Sequence, residues 1–82
     1  MIFEVEFEQE NDGRWMADIP GIPGVIAYGL TRFQAGARAR ALALRFLADR
    51  IETDMVNIEI NSISFIDRYV PYTFYKDDGT MP

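Results

Sequence analysis

"IPGIPGVIAYG", residues 19–29, sets two Pro and three Gly inside an apolar run, just ahead of a segment rich in Ala, Leu and Arg. Pro20 and Pro23 lack amide donors and hold φ at about −65°, and Gly21 and Gly24 accept backbone angles closed to other residues, so the chain is expected to reverse over about four residues. "VIAYG", residues 25–29, then reads as a strand. Gly29 ends it where the backbone needs positive φ or a close approach before the next element.

Upstream, "IFEVEFEQE" alternates strictly: Phe3, Val5 and Phe7 point one way and Glu4, Glu6 and Glu8 the other. "RWMADIP", residues 14–20, puts Trp15, Ala17 and Ile19 on one face and Arg14, Met16 and Asp18 on the other. Parity decides the turn between them. A two-residue Asp12-Gly13 loop would set Phe7 against Asp18 and mix the faces. A three-residue Asn11-Asp12-Gly13 loop pairs Glu10 with Arg14, Phe7 with Ala17 and Val5 with Ile19, with Gly13 in the left-handed position of a bulge turn. Three strands therefore form an antiparallel meander.

Downstream, Thr31 with Gln34 three residues later is a capping-box signature, and a helix is expected from there to about Ile51, with Gly36 costing about 1 kcal/mol relative to Ala. Its side chains divide into two apolar stripes at about 100° per residue. One is Ala35, Ala39, Leu42, Ala43 and Phe46; the other is Phe33, Ala37, Ala41, Leu44, Ala48 and Ile51. The polar arc of Gln34, Arg38, Arg45 and Asp49 is narrow. A helix lying on one sheet needs a single apolar stripe, so the second calls for another cover: the C-terminal tail, a twin subunit or a foreign protein. Phe33, Ala37, Leu44 and Ile51 are its candidate contacts. After "ETDMVNIEIN", whose form the pattern leaves open, "SISFI" at residues 62–66 reads as a fourth strand. Residues 67–82 form an aromatic tail whose last seven residues are expected to fray.

With 49% hydrophobic and 26% charged residues, 82 positions fit one α+β domain of order β-β-β-α-β. A domain this small without any Cys has no disulfide or thiolate-metal staple, and oligomerisation is the expected supplement. No basic leader and no long apolar run precede or interrupt the charges, so the chain reads as cytoplasmic and not membrane-borne. The net charge is −5, yet residues 31–51 hold five Arg and one acid, leaving the remainder at −9. Acidic strands beside a basic helix suit a cationic macromolecule better than nucleic acid. The arginines at 32, 38, 40, 45 and 50 spread around the helix axis and form no nucleic-acid stripe.

The absence of both His and Cys removes the commonest general base and the commonest soft metal ligands, and "GIPG" is no phosphate loop because a strand follows it. Carboxylates are the one catalytic resource left. Asp18 opposite Glu6, with Glu4 and Glu8 alongside, is the one set that a divalent cation, and with it a nuclease reading, would use. The ordinary role of such carboxylates is a solvated strand face, and no cofactor, metal or catalytic residue is expected.

The ordered set "FEVEFEQENDGRWMADIPGIPGVIAYGLTRFQAGARARALALRFLADRIE", with its "DG" turn, its strand ending in "IP", "PGVIAYG", a helix opening T-x-x-x-A and the closing strand "INSISFID", resembles the N-terminal domain of HicB-family antitoxins. The resemblance covers roughly residues 3–66 and gives a HicB-like domain over 1–66. It implies a truncated ribonuclease-H-like sheet with strands at 2–9, 14–20 and 24–29, and no nuclease activity. It also implies a partner: HicA, a small basic ribonuclease toxin that such proteins neutralise by covering its active surface. Family members often add a C-terminal DNA-binding domain; this sequence stops soon after the fourth strand, so neutralisation is the expected role. Family helices often carry Glu and a larger residue where this one has Phe33 and Gly36, and Phe33 widens the second stripe. Glu4, Glu6, Glu8 and Asp18 are the expected contacts with the toxin, on charge alone. The rival reading is a stand-alone interaction module of the same fold.

Overall fold

A computed structural model describes residues 1–54 and 62–69. Strands β1 (Ile2–Gln9), β2 (Trp15–Asp18) and β3 (Ile26–Gly29) precede one long helix, α1 (Arg32–Asp54), and a last strand, β4 (Ser64–Tyr69). The sheet order is β3-β2-β1-β4, with β4 parallel to β1 and the other pairs antiparallel. This is the α+β arrangement expected, a mixed four-stranded sheet with the helix against one face.

The first hairpin has the parity expected of a three-residue loop. Phe7 pairs with Ala17 and Glu6 with Asp18. Gly13 sits at φ 94° and donates its N–H to the Glu10 carbonyl at 2.9 Å. Asp12 adds an Asx turn: its Oδ1 accepts the Arg14 amide at 3.0 Å and its Oδ2 the guanidinium at 2.9 Å.

The Pro/Gly stretch is two consecutive β-turns. Ile22 N–H donates to the Ile19 carbonyl at 3.0 Å, then Val25 N–H to the Ile22 carbonyl at 3.3 Å, with each Pro in the second position of its turn. Ile19 N–H donates across the neck to the Val25 carbonyl at 3.1 Å. Only Gly24 of this pair of glycines takes the left-handed region, at φ 83°. Gly21 does not; a side chain there would meet the Phe3 ring at 3.2 Å, so its role is close approach. The reversal is longer and the flanking strands shorter than expected, because Ile22, at the waist between the turns, is drawn into the core.

At the far end of β3, a Cβ on Gly29 would lie 2.6 Å from the Ala35 amide nitrogen, so strand and helix meet backbone to backbone. Thr31 caps the helix: its Oγ1 accepts the Gln34 amide at 3.0 Å. Gln34 returns its Oε1 one residue further back than a capping box does, to the Leu30 amide at 2.7 Å.

Ala35, Ala39, Ala43 and Leu47 form the buried ridge of α1, over Val5, Phe7, Ala17, Ile19, Ile22, Val25 and Ala27. Phe46 packs against this cluster as expected, but Leu42 does not: it is 38% exposed, and Leu47 is the buried leucine. The i, i+4 row starting at Ala35 faces the sheet, which leaves Leu42 on its flank. Helix and last strand both run three residues beyond their expected ends, to Asp54 and Tyr69, and the strand opens at Ser64, two residues later than expected. Asp67 and Arg68, assigned to the tail, thus belong to the sheet. The connection at 55–61 and the tail from residue 70 lie outside the described residues.

Candidate protein-interaction site

The strand period sends one set of side chains to α1 and the other to the opposite face of the sheet, which no element among the described residues covers. Glu4, Glu6, Glu8 and Asp18 all lie on that open face. Register sets Ile26, Asp18, Glu6 and Arg68 in one row across the four strands. Tyr28, Met16 and Glu8 form the next row, and Glu4 stands beside Ile66. The carboxylates thus stand on the two central strands, together with Ile2 and Met16, and the outer strands present Ile26 and Tyr28 on one side and Ser64, Ile66 and Arg68 on the other.

The acids are not equivalent. Arg68 donates to Glu4 Oε1 at 2.9 Å, an exposed pair that neutralises this end of the row. Among the described residues no basic side chain pairs with Glu6, Glu8 or Asp18. Glu6 and Asp18 face each other directly, a like-charge juxtaposition that a bound cation would relieve. Among the described residues no three His, Cys, Asp or Glu side chains converge to hold a metal ion.

The basic helix is largely occupied with its own domain. Arg40 pairs with Asp67 at 3.1 Å, Arg38 donates to the Tyr28 carbonyl at 2.7 Å, and the Arg32 guanidinium lies 4.3 Å from the Phe7 ring centre. Arg50 stacks on Phe46 at 5.8 Å. These intramolecular contacts engage four of the five arginines between residues 31 and 51. The Arg38 bond also blunts the outer edge of β3.

The second helix stripe lies outside the core. Phe33 and Leu44 are 78% and 47% exposed, Ala37 and Ala48 are exposed, and Ala41 and Ile51 are half-buried. Leu30, just before the helix, adds another exposed apolar side chain. Whether the aromatic tail covers this stripe lies outside the described residues. No helix among them is long and apolar enough to cross a membrane.

Sequence reasoning passed over Ile26, Tyr28 and Ile66 as surface residues. The signal for the first two was present, since alternation in "VIAYG" turns them away from buried Val25 and Ala27. Ile66 needed the β4 register, which no local pattern carries. Comparison with protein-family models, with curated proteins and with solved structures finds no match for this chain.

Proposed function

We propose that this protein is a HicB-like antitoxin that works in the cytoplasm without catalysis, neutralising a small basic HicA-like ribonuclease by covering its RNA-binding surface. The observation that supports this reading is the collection of Glu4, Glu6, Glu8 and Asp18 on one open sheet face, three of them without a cationic partner among the described residues. Such a field speeds encounter with a cationic protein and disfavours RNA as a competitor. The resemblance of residues 3–66 to HicB antitoxins supplies the identity of the partner. The stripe of exposed Phe33, Ala37 and Leu44 with half-buried Ile51 supports self-association, so the working species is a homo-oligomer.

Co-expression with a small basic HicA-like toxin, sought in the neighbouring reading frame, tests the reading. Restored growth together with co-purification of the two chains is the expected result. A toxin that kills equally well with and without this protein overturns it and leaves the stand-alone interaction module.

A further inference from the structure

The open sheet face is more than an acidic surface. Its carboxylates stand on β1 and β2, while Ile26 and Tyr28 on one outer strand and Ile66 on the other are 46%, 43% and 51% exposed. A face meant only for water would place charges on its edge strands, where they also protect against stray pairing. Here the acids stand in the middle, with Ile2 at one end of β1, and Arg68, spent on Glu4, is the one charge that the described outer strands place on this face beside Ile26, Tyr28 and Ile66.

The dimensions define what fits. Four strands spaced about 4.8 Å apart put Ile26 and Tyr28 on β3 about 14 Å across the sheet from the line of Ile66 on β4. An α-helix with its side chains is about 10–12 Å across, so one helix laid along β1 and β2 reaches both sides at once. It would also supply a layer that no element among the described residues provides on this side.

We propose that this face docks a cationic amphipathic helix of a partner protein, one that carries a Lys/Arg ridge flanked on both sides by apolar residues. The ridge meets Glu6, Glu8 and Asp18, and separates the like charges of Glu6 and Asp18. The flanks meet Ile26, Tyr28 and Ile66. Carboxylates set the rate of encounter and its dependence on salt, and the apolar side chains set the lifetime of the complex. The inference rests on the antitoxin reading for its setting, since the helix would belong to the toxin, but its chemistry can be tested alone.

The probe is a labelled 18-residue helical peptide with Lys at every third or fourth position and Leu on both flanks, titrated with the full chain by fluorescence anisotropy at several salt concentrations. A control peptide keeps every Lys and replaces Leu by Ala. The expected result is at least tenfold weaker binding of the control. The triple variant Ile26→Ser/Tyr28→Ser/Ile66→Ser should lose at least tenfold for the Leu peptide with its salt dependence unchanged. Glu6→Gln/Glu8→Gln should instead flatten the salt dependence. All altered side chains are at the surface, and circular dichroism verifies the fold. Equal binding of the two peptides, native-like binding by the triple variant, or no binding of either peptide overturns the inference. Toxin co-expression separates the two readings. If the triple variant rescues growth as well as the native chain, the docking inference fails and the antitoxin stands. If the native chain gives no rescue yet the peptides are discriminated, the antitoxin reading fails and the docking face stands.

Discussion

The face of α1 that lies on the sheet presents Ala35, Gly36, Ala39 and Ala43, whereas the face turned away presents Phe33 and Leu44 among its alanines. Both are apolar, so hydrophobicity alone does not say which is buried. Volume does. The largest fully buried side chains, Phe7, Ile19 and Val5, come from the strands and the turn that follows them, and over them the helix lays Ala35, Gly36, Ala39 and Ala43, with the larger Phe46 and Leu47 only toward its C-terminal end. Phe7 shows the fit at one point: Ala17 is its neighbour on β2, Gly36 lies over its ring, and Arg32 closes the side. A close-packed interior requires this exchange of large for small between facing elements.

Removing the large partner should have the largest effect. Phe7→Ala leaves a cavity under Gly36 and should cost about 3–5 kcal/mol, most of the stability of a domain this small. Phe33→Ala on the outer face removes an equal ring and should stay within about 0.5 kcal/mol in the isolated protomer. Urea unfolding of both variants checks the contrast, and similar losses would mean that the two faces are not what burial makes them.

Gly36 sharpens the comparison from the helix side. Replacing it by Ala gains about 1 kcal/mol of helix propensity. The new Cβ, however, would stand 3.0 Å and 3.1 Å from two Phe7 ring carbons, and that ring is only 2% exposed and held beneath Arg32. Overpacking should prevail, with a net loss of about 1 kcal/mol in a denaturant midpoint. Phe7→Leu should reverse the sign by making room. A Gly36→Ala variant more stable than the native chain would show that the helix can lift without cost.

How much of this could be read in advance depended on whether the signal was local. Strand alternation and the "NDG" loop have a period of two, so a slip by one residue mixes Phe7 with Asp18, and the register could be argued from parity alone. The Thr31 cap was legible because it spans three residues. The orientation of the helix was not, since the two stripes adjoin and the choice between Leu42 and Leu47 rests on where the sheet touches the helix. The pairing of Glu4 with Arg68 joins residues 64 positions apart through a parallel strand whose register no turn fixes. The acidic character of the open face is therefore legible in the sequence, as is the outward turn of Ile26 and Tyr28, whereas Ile66 and Arg68 join that face only through the β4 register.

Leu44 probes the exposed side of the comparison in another currency. At 47% exposure, Leu44→Glu should change the unfolding free energy by less than about 0.5 kcal/mol. Its effect should appear in the assembly, as a lower mass in solution by sedimentation or light scattering. An unchanged mass would mean that the outer stripe holds no second subunit.

The smallest effect belongs to the Asp12–Arg14 pair on the first turn, where nothing is buried. The Arg14 backbone N–H, and after it the Arg14 guanidinium, hold the Asp12 carboxyl below its ordinary value of 3.8. A carboxyl depressed in the folded state binds its proton more readily when unfolded. Its contribution is therefore fully present above about pH 3.8 and is lost as pH falls through the lower folded value. Solvent screens the pair, so the pH dependence of unfolding should register it only faintly. An NMR titration reads it directly. The Asp12 carboxyl should titrate below 3.8 in the native chain. Arg14→Ala should raise that midpoint only partway, because the backbone N–H remains. Full return to the ordinary value would assign the shift to the guanidinium alone and remove the Asx turn as its main cause.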